Sequence, residues 1–122
     1  MNTSVYTALP GLVKPAMAKE QMKYVVKELD ASTPAEIVIK VSRIWNIHAL
    51  EIFTRSRVRE ITEARQVSMY LTLKKFNYSL HETGKLFTRD HATVLHSKRK
   101  VEDLFDVDRD FRVKVMALLD KL

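Results

Sequence analysis

Hydrophobic residues recur three and four positions apart along most of this chain, a spacing that places them on one face of an α-helix. In the first such stretch Met22, Val25, Val26 and Leu29 share a face. Hairpin dipeptides such as Asn-Gly are missing from the sequence. The pattern predicts helices over residues 18–29, 34–45, 48–53, 61–76, 79–87, 91–104 and 108–122. We therefore expect an all-α fold, a bundle of about six to seven helices.

Polar residues indicate where two of these helices begin. Thr33 precedes Pro34, with Glu36 at the third helical position, and Ser79 is followed by Glu82 in the same way. Each pair is a capping box, in which a hydroxyl and a carboxylate satisfy the free backbone amides of the first turn. Proline is also favoured in the first turn, so the second helix should start at residue 34.

The length and composition of the chain suit one domain. It has 122 residues, of which 46% are hydrophobic. Residues 1–17 contain Pro10, Gly11 and Pro15, and we expect a flexible leader there. Residues 18–122 should form a single helical domain.

The helix predicted over residues 91–104 has two different faces. Asp90 before it is a good N-cap residue. A polar stripe is predicted from Thr93, His96, Ser97 and Lys100, and an apolar face from Val94, Val101 and Phe105. Such a helix suits the major groove of DNA, because its front offers hydrogen-bond donors, acceptors and positive charge to bases and phosphates.

The helices predicted over residues 79–87 and 91–104, with a tight turn between them, match a helix-turn-helix. Gly84 lies inside the first, where glycine costs about 1 kcal/mol relative to alanine, so we expect close helix–helix packing at this position. The pattern alone leaves open a plain helical bundle without a DNA-binding face.

The positive charge of the chain is concentrated around this motif. The net charge is +6, and residues 55–100 hold eleven Lys and Arg against four Asp and Glu, a surplus of seven. The remaining residues hold ten basic and eleven acidic side chains. Clustering on one unit favours a polyanionic partner over a generally basic surface. Arg55, Arg57 and Arg59, at alternate positions, favour contact with phosphates or the minor groove over a solvated loop.

Several other functions are disfavoured. The chain has no cysteine, and His91 and His96 do not share a helix face, so we expect no metal site and no cofactor. No Gly-x-x-x-x-Gly-Lys-[Ser/Thr] loop is present, which argues against nucleotide binding, and no nucleophile or catalytic cluster indicates an enzyme. No apolar run would span a membrane and no secretory signal is evident, so we expect a cytoplasmic, nucleoid-associated protein.

The motif Arg89-Asp90-His91-x-Thr93-Val94-Leu95-His96 resembles the signature of the C-terminal DNA-binding domain of DnaA, the bacterial chromosomal replication initiator. The resemblance extends from about residue 36 to residue 122. It includes the motifs Ala64-Arg65-Gln66-x-x-Met69-x-Leu71, Ser79-Leu80-x-Glu82-x-Gly84 and Arg55-Ser56-Arg57. It implies a Trp-repressor-like helical domain whose recognition helix enters the major groove of a short DNA box, while a basic loop reaches the adjacent minor groove.

The resemblance also implies roles for individual residues. Arg57 matches the minor-groove arginine, with Arg55 beside it in the basic loop. Asp90, His91 and Ala92, after Arg89 of the signature, match the base-reading positions. Positions on or near the phosphate backbone are matched by Arg65, Gln66, Thr93, His96 and Lys100.

The chain departs from the family pattern in three places, one of which is Leu73, where family members often carry a basic residue. The family usually has two small residues between the phenylalanine and arginine of its signature, and here Thr88 alone separates Phe87 from Arg89. Ala92 replaces the usual threonine, which removes a hydroxyl but keeps a methyl that can contact a thymine methyl. A weaker or altered preference for the usual box is therefore expected.

These observations predict a stand-alone, sequence-specific binder of double-stranded DNA, with residues 91–104 in the major groove. With no room for an ATPase domain in 122 residues, the chain is expected to bind, block, recruit or tether in replication control or transcription, in a bacterium, phage or mobile element. The alternative is a protein-interaction module with a decayed DNA-binding face, which would self-associate or bind a partner through residues 18–45.

Overall fold

The computed structural model describes residues 19–119, and the predicted leader over residues 1–17 lies outside them. Within the described residues six α-helices follow in order: α1 (Lys19–Val25), α2 (Pro34–Trp45), α3 (Arg59–Phe76), α4 (Leu80–Phe87), α5 (His91–Val107) and α6 (Arg109–Leu118). Two 3-10 helices, Val26–Glu28 and Ala49–Phe53, lie after α1 and after α2. Residues 19–119 contain no strand, and the predicted all-α class is confirmed.

Helix α3 lies at the centre of the fold. It packs most extensively against α5 and α2, and also contacts α4 and both 3-10 helices. Because neighbours surround it, α3 is buried on more than one face, as expected for a helix inside a bundle. Its buried residues are Ile61, Ala64, Arg65, Val67, Ser68, Met69, Tyr70, Leu71 and Thr72.

One hydrophobic core joins all the helices. It extends from Met22 in α1 to Leu119 after α6, and includes Trp45 of α2 and Phe105 of α5. The Trp45 ring meets Phe111 of α6 edge to face, with 6.0 Å between the ring centroids. The faces predicted for the first two helices, around Met22 and Val41, point into this core.

The predicted capping residues occupy the helix starts. The Ser79 hydroxyl accepts from the Glu82 amide at 3.0 Å, and the Glu82 carboxylate accepts from the Ser79 amide at 2.9 Å. The bond from the Ser79 backbone amide to the Glu82 carboxylate holds the pKa of Glu82 below its ordinary value. At α2 the Thr33 hydroxyl accepts from the Glu36 amide, whereas the Glu36 carboxylate accepts from the amide of Ser32.

Three helices end at a non-glycine residue with a left-handed backbone. Asn46 follows α2, Asn77 follows α3 and Thr88 follows α4, with φ between 54° and 58°. Asparagine tolerates this conformation better than most residues, whereas the branched Cβ of threonine makes it unfavourable at Thr88. Thr88, which stands alone where the resemblance implies two small residues, is thus the residue that turns the chain between α4 and α5.

Candidate nucleic-acid interface

The turn between α4 and α5 is compact and hydrogen-bonded. The Arg89 amide donates to the Gly84 carbonyl at 2.8 Å, and the Thr88 amide donates to the Lys85 carbonyl at 3.4 Å. This is a Schellman motif, which needs only one left-handed residue. A Cβ on Gly84 would overlap the Arg89 carbonyl oxygen, so glycine is required for the close approach of the turn to α4. The close approach expected at Gly84 is present, but it is made by the backbone of the turn at Arg89 and Asp90 and not by a neighbouring helix.

Helix α5 begins at a charged cap. The Asp90 carboxylate accepts from the Thr93 amide at 2.7 Å, and this bond holds the pKa of Asp90 below its ordinary value. Asp90 is therefore ionised at neutral pH, where it acts as a hydrogen-bond acceptor only.

The two faces of α5 are largely as predicted, with one correction. Val94, Val101 and Phe105 are buried, while His91, Ala92, His96 and Lys100 are exposed and Thr93 is half-buried. The prediction that Ser97 belongs to the polar front is wrong, because Ser97 is 2% exposed. Ser97 lies three residues after Val94 and four before Val101, so it falls on the same face as these two.

The segment Thr54–Val58, called the basic loop below, is ordered by its own hydroxyl groups. The Thr54 hydroxyl donates to the Glu51 carbonyl at 2.7 Å and accepts from the Ser56 amide at 3.3 Å. The Ser56 hydroxyl in turn accepts from the Val58 amide at 3.2 Å. Hydroxyl residues often satisfy backbone amides two positions on in this way. Between them, the side chains of Arg55 and Arg57 are exposed.

Two arginines from other elements hold the backbone of this region. Arg65 of α3 donates from Nε to the Ile52 carbonyl at 2.8 Å and from Nη2 to the Ser56 carbonyl at 3.2 Å. Arg89 donates from Nη2 to the Thr54 carbonyl at 2.7 Å. The other terminal nitrogen of Arg89 donates to the carbonyls of Phe87 and Thr88 in its own turn. The carbonyls of three alternate residues are thus bound by two guanidinium groups.

Arg59, which follows the basic loop, is paired within the protein. It meets the carboxylates of Glu63 at 3.2 Å and Asp108 at 3.4 Å. Glu63 also accepts from the indole N–H of Trp45 at 3.3 Å. The Glu63 and Asp108 carboxylates raise the pKa of Arg59. No such ion pair involves Arg55 or Arg57 within residues 19–119, so these two exposed guanidinium groups, unlike that of Arg59, have no carboxylate partner there.

A groove of about 310 Å³ is lined by residues of the basic loop, α3 and α5. They include Arg57 of the basic loop, Arg59 and Gln66 of α3, and Lys100 of α5. The structure therefore brings together three residues that the sequence assigned to the same interface, Arg57, Gln66 and Lys100. It leaves Arg65 buried, 8% exposed, beneath the basic loop.

Sequence reasoning missed two features of this surface. It gave no structural role to His48, which is exposed and caps the 3-10 helix by accepting from the Leu50 amide at 3.2 Å. It also gave no role to Thr54 and Ser56, although two hydroxyl residues at alternate positions are a signal for a locally hydrogen-bonded loop. The mixed pattern of arginines and hydroxyls could have indicated an ordered basic loop.

The described residues show neither a metal cluster nor a membrane helix. Between residues 19 and 119, no three His, Asp or Glu side chains lie where they could hold one ion. No helix in this range is long and apolar enough to cross a bilayer.

Comparison with known proteins identifies the fold around this surface. The family model described as the bacterial dnaA protein helix-turn-helix matches residues 34–101, more than half of the chain. The chain belongs to this DnaA family. The match spans α2 to the middle of α5, and thus contains the basic loop, the turn and the N-terminal part of the recognition helix.

Individual DnaA proteins give the same result. The chromosomal replication initiator DnaA of Bacteroides thetaiotaomicron is 36% identical over 92 residues, which are 75% of this chain and 20% of that protein. DnaA of Gluconobacter oxydans is 40% identical over 87 residues, 70% of this chain and 18% of that protein. This chain spans about a fifth of the length of the DnaA proteins it matches, and corresponds to their C-terminal DNA-binding domain.

Proposed function

We propose that this chain binds double-stranded DNA at a short initiator-type box, with α5 in the major groove and Arg57 in the adjacent minor groove. The supporting observation is that Arg57 of the exposed basic loop and Lys100 on the exposed face of α5 line one groove. A major groove about 12 Å wide admits an α-helix, and a narrow minor groove has a negative potential that attracts arginine.

Base reading is assigned to the start of α5. The His91 side chain and the Ala92 methyl are exposed there, next to the ionised Asp90. A carboxylate has two oxygens, so one can cap the helix while the other accepts from the amino group of cytosine. The Ala92 methyl suits contact with a thymine methyl.

Phosphate contacts are assigned to residues of the basic loop, α3 and α5. Gln66 and Lys100 line the groove, and Arg55 in the basic loop and Thr93 and His96 on α5 also offer donors or positive charge. Such contacts fix the position of a protein on the duplex without reading its sequence.

The biological role that follows is occupation of boxes in replication control or transcription. Binding in this way uses no nucleotide and no catalytic group, and it would place the protein on the nucleoid in the cytoplasm. We propose residues 18–122 as one domain for this role. The alternative, a partner bound through residues 18–45, has less support because Met22, Val26, Ile37 and Val41 are buried in the chain's own core.

Fluorescence anisotropy with an initiator-box duplex and a scrambled duplex, at two salt concentrations, tests the proposal. We expect salt-sensitive binding with roughly tenfold or greater preference for the box. His91→Ala and Arg57→Ala should reduce this preference, whereas Arg43→Ala, an exposed arginine on α2, should not. Equal affinity for both duplexes would refute sequence reading. No binding to either duplex would favour the interaction module.

A further inference from the structure

Arg65 and Arg89 direct their guanidinium groups into the protein, although both belong to motifs that resemble DNA-contacting ones. Arg65 is buried, and its nitrogens donate to the carbonyls of Ile52 and Ser56. Arg89 is half-buried, and its terminal nitrogens donate to Thr54 and to its own turn. We propose that both are positioning residues, which fix the basic loop relative to α5 so that one DNA site is read in both grooves at a set spacing.

The pattern of bound carbonyls supports this assignment. The two arginines bind the carbonyls of residues 52, 54 and 56, whereas the exposed arginine side chains are at residues 55 and 57. The backbone is thus held at alternate positions, while the side chain of Arg55 between two of them and that of Arg57 just after the last stay accessible. A segment fixed in advance loses less conformational entropy when it binds than a mobile one.

Electrostatics also argues for a shared structural role. Burial lowers the pKa of Arg65, and the nearby positive charge of Arg89 lowers it further. Two like charges placed together around one loop are unfavourable unless acceptors compensate them. The carbonyls of Ile52, Thr54 and Ser56 supply that compensation, and they do so only while the basic loop keeps its present path.

Arg89 connects the two reading elements directly. Its residue neighbours are Thr88, which turns the chain, and Asp90, which caps α5. One guanidinium therefore joins the start of the recognition helix to the Thr54 carbonyl of the basic loop. A change in this side chain should alter the spacing between the loop and α5 rather than the number of DNA contacts.

The first experiment needs no DNA, and so does not depend on the proposed function. Trypsin cleaves after Arg55 and Arg57, and the rates at these two sites can be followed by mass spectrometry in the wild type, Arg89→Ala and Arg43→Ala. We expect cleavage at least tenfold faster in Arg89→Ala, with unchanged helical circular dichroism, and an unchanged rate in Arg43→Ala. Rates within twofold of the wild type would overturn the inference. If Arg89→Ala fails to fold, Arg89→Gln is used, with the same expected direction.

The second experiment rests on the proposed function and separates positioning from contact. Anisotropy is measured for the box, for a box altered only under the basic loop, and for a box altered only under α5. We expect Arg89→Ala to lose most of the preference for the box over the duplex altered under the basic loop (the loop end). It should keep the preference for the box over the duplex altered under α5 (the α5 end).

Three results have different meanings. In the first result, Arg89→Ala binds all three duplexes more weakly by the same factor, its salt slope is smaller by about 1, and it still discriminates at both ends of the box. This would show that Arg89 contacts a phosphate, and would overturn the inference. Loss of discrimination at the α5 end would show a base contact, and would overturn it as well. Equal binding of the three duplexes by the wild type would instead overturn the proposed function.

Discussion

Gly84 and Thr88 together decide how closely α4 approaches α5. Gly84 leaves room for the Arg89 carbonyl, and its own carbonyl accepts from the Arg89 amide. Thr88 supplies the single left-handed residue that the motif requires. The turn is shorter than the family pattern by one residue, yet it keeps both the helix end and the Asp90 cap. A one-residue deletion is therefore compatible with a complete helix-turn-helix.

Gly84→Ala should destabilise the protein by about 1–3 kcal/mol, the range for an added methyl that forces the backbone to move. The sign of this change in the free energy of unfolding tests the close approach, because a glycine-to-alanine substitution inside a helix otherwise stabilises a protein by about 1 kcal/mol. Denaturant unfolding followed by the fluorescence of Trp45, the single tryptophan, provides the measurement. Lys85→Ala, at the next and exposed position, is the control and should change the free energy of unfolding little. A stabilised Gly84→Ala variant would contradict the close approach.

Thr88→Gly should stabilise the protein by about 1 kcal/mol. A left-handed conformation costs an L-residue about 1–2 kcal/mol, and the greater freedom of glycine in the unfolded chain offsets part of that gain. Asn46→Thr places the same branched residue at another left-handed position and should destabilise the protein. Both variants are measured by thermal unfolding. A lower Tm for Thr88→Gly would show that the threonine side chain makes a compensating contact.

At the scale of elements, local patterns predicted most helix boundaries. The Thr33 and Ser79 caps placed the starts of α2 and α4 correctly, because a cap acts within four residues and needs no tertiary contact. The start of α3 was predicted two residues late, at Ile61 instead of Arg59. Arg59 and Glu60 are polar and exposed, so hydrophobic periodicity gives no signal for them.

The candidate site was predicted less completely than the fold. Periodicity placed His96 and Lys100 correctly on the exposed face of α5, because the faces of a helix depend on that helix alone, although it wrongly placed Ser97 there. It could not assign Arg65, since the carbonyls that bind its guanidinium belong to residues 52 and 56, which only the tertiary fold brings close. The pairing of Arg59 with Asp108 escaped prediction for the same reason, because 49 residues separate the two.

The N-terminus of α5 should make stability depend on pH. The Thr93 amide lowers the pKa of Asp90, so the ionised form is favoured in the folded state. The stabilisation is present above the unfolded pKa, about 4, and is lost as pH falls through the lower folded value. Asp90→Asn keeps a capping side chain without this charge. We expect the difference in Tm between the wild type and Asp90→Asn to shrink as pH falls from 7 to 3.

Asp103→Asn serves as the control for this pH dependence. Asp103 is exposed on α5 but lies far from its N-terminus and caps nothing. Its variant should not reproduce the convergence of Tm at low pH. If both variants behave alike, the pH dependence comes from the general charge of the protein rather than from the Asp90 cap.

For the whole molecule, the arrangement of charge matters more than its sum. The surplus of seven positive charges over residues 55–100 includes the basic loop and the front of α5, while Asp103, Asp106 and Asp110 lie beyond it in the chain. The positive potential of the basic loop and the front of α5 should steer this face toward DNA. Added salt screens this attraction, so the effect should weaken steeply as the salt concentration rises. Not every arginine near the groove adds to this effect, because Arg59 is already paired with Glu63 and Asp108.

Lys100→Ala and Arg59→Ala should therefore differ, although each removes one positive charge from the same groove. A phosphate-binding lysine releases about one counterion, so Lys100→Ala should lower affinity for box and scrambled DNA alike and reduce the salt slope by about 1. In Arg59→Ala the carboxylates of Glu63 and Asp108 remain without the arginine that had neutralised them. Because the paired Arg59 displaces fewer counterions from DNA in the wild type, its removal should change the salt slope by less than the removal of Lys100. Anisotropy titrations over a series of salt concentrations measure both slopes, with Arg43→Ala as the control. An equal change in slope for the two variants would mean that Arg59 leaves its ion pairs to bind phosphate in the complex.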